Sequence, residues 1–167
     1  MWERLNYKFK QCPARKSVAW KMVELGLRID KDSKIYCGNL KINDVALANA
    51  ANVDRRAVKA TVKTILDDEQ LSKIFKNIIP AGTLLKNIAK NLGLGVVEIE
   101  VGQENTGILA EASKVISTEN ISIRQAYASD IELGNNPVLT IITEEPSKGN
   151  LINDLLKING VIRVSVY

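Results

Sequence analysis

The chain has 167 residues, 46% hydrophobic and 25% charged, enough to bury one ordinary core or two small ones. No apolar run approaches the roughly 18–20 residues of a membrane helix, and the opening MWERLNYKFK lacks the apolar stretch of a secretory signal, so a cytoplasmic protein with no membrane partner is expected. The net charge of +4 conceals a split: residues 1–80 hold 16 Lys+Arg against 9 Asp+Glu, residues 81–167 hold 7 against 10, and any polyanion partner belongs to the first half.

In that half Pro13 suits the first turn of a helix, where its missing N–H is harmless. Val18, Met22, Val23 and Leu25 follow near helical spacing, with Gly26 as a stop. The stretch 34–42 reads as two short β-prone runs around Gly38-Asn39, a pair that fits a II′ hairpin turn. This hairpin precedes the next helices, so it is not a wing in the usual trailing position. Asn43 can cap a helix continuing through Ala51, with Leu47, Ala48 and Ala51 on one face. Asn52 stands where the chain must turn, and asparagine tolerates the left-handed conformation of a tight turn. Val53 is an apolar anchor and Asp54 a cap for a second helix, along which Val58, Val62 and Ile65 recur.

A short helix, a tight turn and a second helix make a helix-turn-helix. Arg55 and Arg56 fall in the first turn of its second helix, where the dipole disfavours cations, and Lys59 and Lys63 continue the basic side. Folding alone favours acids there. These four are therefore the candidate DNA-binding residues, placed to meet bases and phosphates; solvated charges on an interaction module are the alternative. Residues 43–62 resemble the bacterial and archaeal helix-turn-helix family in Leu47-Ala48, Ala51, the turn at Asn52-Val53, and Val58. Most members carry glycine where this chain has Asn52. The resemblance implies DNA binding, ordinarily as a dimer.

Beyond Leu66, Asp67-Asp68-Glu69 opens a helix to about Ile78. Pro80 then starts a connecting helix over 80–93 with Leu84, Leu85, Ile88 and Leu92 on one face, closed by Gly93, and the boundary between domains 1–79 and 94–167 lies in this stretch. Val97, Ile99 and Val101 alternate with acids as a half-buried strand. A polar loop reaches Gly107, and a helix follows that buries Ile108, Leu109, Ala112, Val115 and Ile116. Strands at 121–127 and 138–142 flank the turn formers Leu133-Gly134-Asn135-Asn136-Pro137. Ser147 can cap a helix carrying Leu151, Ile152, Leu155, Leu156 and Ile158, and Val161 to Tyr167 alternates as the last strand. The predicted fold is α+β: a mostly helical helix-turn-helix domain with a small hairpin, then a ferredoxin-like βαββαβ domain with both helices on one sheet face.

That order serves many functions. Gly107-Ile108-Leu109 directly after the first strand, with Ser122-Ile123 opening the second, resembles the ACT domain, a regulatory amino-acid-binding module, over residues 94–167. The resemblance implies side-by-side homodimers that hold an amino-acid effector at the interface. By position, Gly107 and the N–H groups of Ile108 and Leu109 would hold the carboxylate, with Gln103, Glu104, Asn105, Thr106 and Ser122 beside it. The physical reason is that glycine admits a ligand to the backbone and a helix start offers free N–H groups. Thr106 replaces a proline common in the family, and Glu104 an asparagine of some serine-binding members. A pairing module whose loop merely turns the chain is the alternative.

The chain has no histidine, and Cys12 and Cys37 are too far apart in sequence for a redox or metal motif. No nucleophile–base pair or phosphate loop appears, so a non-enzyme without cofactor or metal is expected. Together the halves resemble archaeal proteins predicted to regulate amino-acid metabolism, Val53–Val58 in particular. That implies a DNA-binding transcriptional regulator sensing a small effector; a regulatory subunit docking on a biosynthetic enzyme is the alternative.

Overall fold

The computed structural model describes every residue except 103–104, 131, 133–136 and 148–149. The chain divides into two compact units, Met1–Gly82 and Thr83–Tyr167. The first is built from α1 (Trp2–Lys8), α2 (Pro13–Glu24), strands β1 (Leu27–Ile29), β2 (Ile35–Cys37) and β3 (Leu40–Ile42), then α3 (Asp44–Ala50), α4 (Arg55–Leu66) and α5 (Glu69–Lys76). The second holds a 3-10 segment (Lys86–Leu92), β4 (Gly95–Val101), α6 (Ile108–Thr118), β5 (Ile123–Ala128), β6 (Val138–Thr143), α7 (Leu151–Leu156) and β7 (Val161–Val166). The fold is α+β, as predicted, and the second unit has the expected βαββαβ order.

The first core gathers Leu5, Phe9, Val18, Met22, Ile29, Leu47, Val58, Ile65 and Phe75 from nearly every element of that unit. Two elements were not anticipated. Helix α1 buries only Leu5 among seven mostly polar residues, too sparse a pattern to read. Strand β1 is three residues long and makes the expected hairpin into a three-stranded antiparallel sheet, β1-β2-β3. The hairpin turn has positive φ at Gly38 and not at Asn39, as a II′ turn requires.

The second unit is an antiparallel sheet of order β5-β6-β4-β7. Val97, Ile99, Leu139 and Ile141 on one face pack with Ile108, Ala112 and Ile116 of α6 and Leu151 and Leu155 of α7. Each helix buries a narrow i, i+4 stripe. Leu109, Ile152 and Leu156, expected inside, are exposed for that reason. Helix α7 also starts later than expected, at Leu151 with Asn150 before it, so Ser147 is not its cap.

The other sheet face carries Val96 and Ile142, covered by Leu85, Ala89 and Leu94. The expected connecting helix over 80–93 is not α-helical. Residues 80–85 have no regular structure, and only Lys86–Leu92 coils, as a 3-10 segment. Gly82 at φ 102° breaks any helix from Pro80. The backbone groups a ladder would need are taken by Gln125 of β5: its Oε1 accepts from Leu85 N at 3.0 Å, and its Nε2 donates to Thr83 O at 2.9 Å. Lys86 then pairs with Glu98 at 2.7 Å.

Candidate functional site

In the first unit Asn43 Oδ1 accepts from Ala46 N at 2.7 Å and starts α3. The helix ends in a Schellman motif: Val53 N donates to Ala48 O at 2.9 Å and Asn52 N to Asn49 O at 3.1 Å, with Asn52 at φ 53°. Ser17 of α2 donates to Ala51 O at 2.9 Å and so holds the turn to the core. Asp54 starts α4, its Oδ1 accepting from Arg56 N at 2.8 Å. Val58, Thr61, Val62 and Ile65 turn inward, and the Thr61 hydroxyl donates to Ala57 O at 2.8 Å. Burying that stripe turns Arg55, Arg56, Lys59 and Lys63 to solvent as one basic stripe.

The four cations are not equivalent. Arg56 Nε donates to the same Asp54 Oδ1 at 2.8 Å, an ion pair at the helix start. This contact, then the backbone N–H of Arg56, holds the Asp54 carboxyl below its ordinary range. Among the described residues Arg55, Lys59 and Lys63 form no ion pair. Lys59 and Lys63 also line a cleft of about 370 Å³ with Val62, Leu66 and Asp67 of α4's end, Asp44 of α3, and Ser33 and Lys34 of the β1–β2 turn. Sequence reasoning missed Lys34, because the pairing of β1 that carries this turn to α4 left no periodic signal.

In the second unit a cleft of about 240 Å³ lies where β4 ends and α6 begins. It is lined by Val101, Asn105, Gly107, Ile108 and Leu109, joined by Ala128, Ser129, Pro137, Val138 and Leu139 from the adjoining ends of β5 and β6. Gly107 is the N-cap of α6 at φ 80°, and a Cβ there would meet nothing within 4 Å. No side chain caps α6, so its first-turn N–H groups have no intrahelical partner beside the cleft. Of the predicted ligand residues, Asn105, Gly107, Ile108 and Leu109 thus come together; Thr106 is exposed in the same loop and does not line the cleft. Gln103 and Glu104, like the turn formers Leu133, Gly134, Asn135 and Asn136, lie outside the described residues.

Two details modify the expected site. The Asn105 carboxamide is engaged structurally: its Nδ2 donates to Gly102 O at 3.1 Å, and it lies where a Cβ on Gly160 would fall. Ser122, expected beside the ligand, stands at the other end of β5, some six residues or roughly 20 Å of extended chain from Ala128; there its carbonyl accepts from Glu144 N at 2.9 Å. One copy of the chain does not bring Ser122 to the cleft. Conversely, Ser129 lines it, with Oγ accepting from Val138 N at 2.9 Å, and nothing in the sequence marked that residue.

Among the described residues no group of three or more Cys, Asp and Glu side chains could hold a metal, and no helix is long and apolar enough to cross a membrane. No protein-family model matches the chain, and no curated protein sequence matches it. Among solved structures, the chain is similar to the ACT domain of a GTP pyrophosphokinase from Chlorobium tepidum. The two are 22% identical, with 44% of this chain and 96% of that one covered, at a TM-score of 0.35. It is also similar to a transcriptional regulatory protein of the ASNC family from Pyrococcus furiosus, 12% identical over 75% of this chain and 77% of that one, at a TM-score of 0.27.

Proposed function

We propose that this chain is a DNA-binding transcriptional regulator, without enzymatic activity, cofactor or metal, that acts in the cytoplasm on the level of an amino acid. The observation that carries the reading is the start of α4. Behind a Schellman turn fixed to the core by Ser17, the helix exposes Arg55 and Arg56 in its first turn, where its own dipole opposes cations, and Lys59 and Lys63 continue the same basic face. A fold that accepts this cost places the charges for a partner, and a helix-turn-helix sets such residues against base edges and phosphates. Affinity for genomic duplex fragments, followed by fluorescence anisotropy across salt, tests the reading. Binding falls steeply as salt rises if phosphates are contacted; flat or absent binding to every fragment overturns it.

The effector site proposed is the cleft at the start of α6, with the N–H groups of Ile108 and Leu109 for a carboxylate and Gly107 leaving the approach open. The chain acts as a homodimer through its second unit. Strand β5 supports this, being an edge strand with Ile123 and Tyr127 exposed along it. If two copies pair antiparallel along β5, centred between Gln125 and Ala126, Ser122 of the partner subunit falls opposite Ser129 at the cleft. Such a dimer brings Ser122 to the cleft from a second chain. A thermal-shift screen of the amino acids tests it, since a ligand specific to the folded state raises stability by mass action. The shift disappears in Gly107→Val; a shift that survives that change places the site elsewhere.

A further inference from the structure

In the cleft of the first unit, Lys34 from the β1–β2 turn stands across from Lys59 and Lys63 of α4. The turn is tightly held. Asp30 N donates to Lys34 O at 2.8 Å, Ser33 N to Asp30 O at 3.0 Å, Lys31 N to Asp30 Oδ1 at 2.7 Å and Lys34 N to Asp32 Oδ1 at 3.1 Å. Its two acids are thereby engaged with backbone N–H groups, and Asp30 also pairs with Arg28 at 3.4 Å. The lysine heads have no such partner: among the described residues Lys31, Lys34, Lys59 and Lys63 enter no ion pair. Asp44 and Asp67 line the same cleft and form no ion pair among the described residues either.

We infer that the β1–β2 turn is a second nucleic-acid contact, an upstream wing whose Lys34, with Lys31 beside it, grips the phosphate backbone of the duplex that α4 reads. The inference rests on the proposed reading of α4. A single small anion fits this cleft poorly. It is open, its three lysines are long and carried on two walls, and two carboxylates share it, whereas a compact anion site needs converging, desolvated donors. A phosphate backbone answers each point. It runs past the cleft, meets flexible cations one at a time, and leaves the carboxylates at a distance. Lys59 and Lys63 are one helical turn apart, about 6 Å along the axis, so the helix wall follows a strand rather than converging on one point. A rigid turn presenting Lys34 opposite them gives positioning without base reading.

The test is anisotropy of duplex DNA across salt with the full chain, comparing wild type, Lys34→Ala, Asp67→Asn and Arg55→Ala. Lys34→Ala is expected to weaken every sequence by the same factor and to lower the log–log salt slope by about 1 per protomer. Asp67→Asn, which removes a negative charge from the cleft, is expected to tighten every sequence. If Arg55→Ala weakens binding while Lys34→Ala leaves affinity and slope as in wild type at unchanged melting temperature, the wing fails and the reading of α4 stands. If Lys34→Ala lowers only the melting temperature, the lysine serves the fold and the wing also fails. Wild-type protein that binds no duplex, or that prefers single-stranded RNA, overturns the α4 reading itself and the wing with it.

Discussion

Asp54 does two things at once, and separating them gives the sharpest test of α4 as the proposed DNA-binding helix. Its Oδ1 caps α4 by accepting from Arg56 N, and the same atom accepts from Arg56 Nε, both at 2.8 Å. Held below its ordinary range by those bonds, the carboxyl is ionised wherever DNA binding is measured. It sits among the cations that would meet phosphate, cancelling one. Asp54→Ser keeps a good N-cap, removes the negative charge and releases Arg56. In counterion terms this adds about one cation per protomer, steepening the salt slope by about 0.9. Between about 50 and 200 mM salt that slope change widens the fall in affinity by roughly three- to four-fold per protomer. The assay is anisotropy on one high-affinity duplex, with far-UV circular dichroism confirming that the helix is intact. An unchanged slope with an intact helix refutes the reasoning, because Arg56 would then lie away from the backbone and the basic stripe would not face DNA.

Further expectations concern the fold that carries these sites. Asp68 accepts from Leu71 N at the start of α5, bidentately from Arg4 at 3.0 Å, and pairs with Lys8 at 3.4 Å while almost fully buried. Asp68→Ala loses a cap and charge-assisted hydrogen bonds, and Arg4 and Lys8 rehydrate, so about 2–3 kcal/mol of stability is expected to go in urea unfolding at neutral pH. The Leu71 N–H, then Arg4, lowers the Asp68 carboxyl below its ordinary 3.8 against the opposing effect of burial. Its stabilisation is therefore complete above the unfolded value and lost as pH falls through the lower folded one, so the gap between wild type and Asp68→Asn begins to narrow as pH falls below about 4; a gap that does not narrow on further acidification removes this role. Gly160→Ala forces a Cβ into the Asn105 side chain at φ 88° and is expected to cost at least about 1–2 kcal/mol; an unchanged melting temperature would refute both the clash and the backbone strain. Trp2 and Trp20 stack at 4.5 Å in the first unit, and the second holds no tryptophan. Tryptophan emission should consequently follow only the Asp68 variants and not Gly160→Ala, unless the units unfold as one.

What could be read from the sequence followed the length scale of each signal. Caps and turns are decided within four residues, so Asn43, Asn52 and Asp54 were legible, as were the buried Val58, Val62 and Ile65. The strands of the second unit were legible from alternation. Apart from the Ser147 cap, what failed depended on distant partners. Nothing near Pro80 signals that Gln125, some 40 residues on, takes the backbone of Thr83 and Leu85 and replaces the expected helix. Periodicity marked Leu109, Ile152 and Leu156 as apolar but could not say that a helix lying on a sheet buries only one narrow stripe. The loop glycine of the proposed effector cleft was visible because glycine is locally distinctive; Ser129 and Val138 were not, because strand register alone brings them to it.

Strand β5 draws these observations together. It is the open edge of its sheet, its end at Ala128 walls the cleft, and its Gln125 holds the chain at Thr83 and Leu85. Its register slips between Ile123 and Gln125, so the strand is irregular next to the residue that makes the clamp. An effector changes a regulator only by binding two arrangements unequally. Under the proposed function, a ligand at the cleft and a second copy at the edge both act on this one strand, and the clamp at Gln125 connects the strand to the segment that follows Gly82. Gln125→Ala removes both hydrogen bonds without changing a residue that lines the cleft or the basic stripe of α4. If β5 carries the response, the variant keeps its amino-acid thermal shift and its DNA affinity without effector, and loses the effect of one upon the other. Retained coupling would move the response to another element and leave Gln125 as a fastening of the fold.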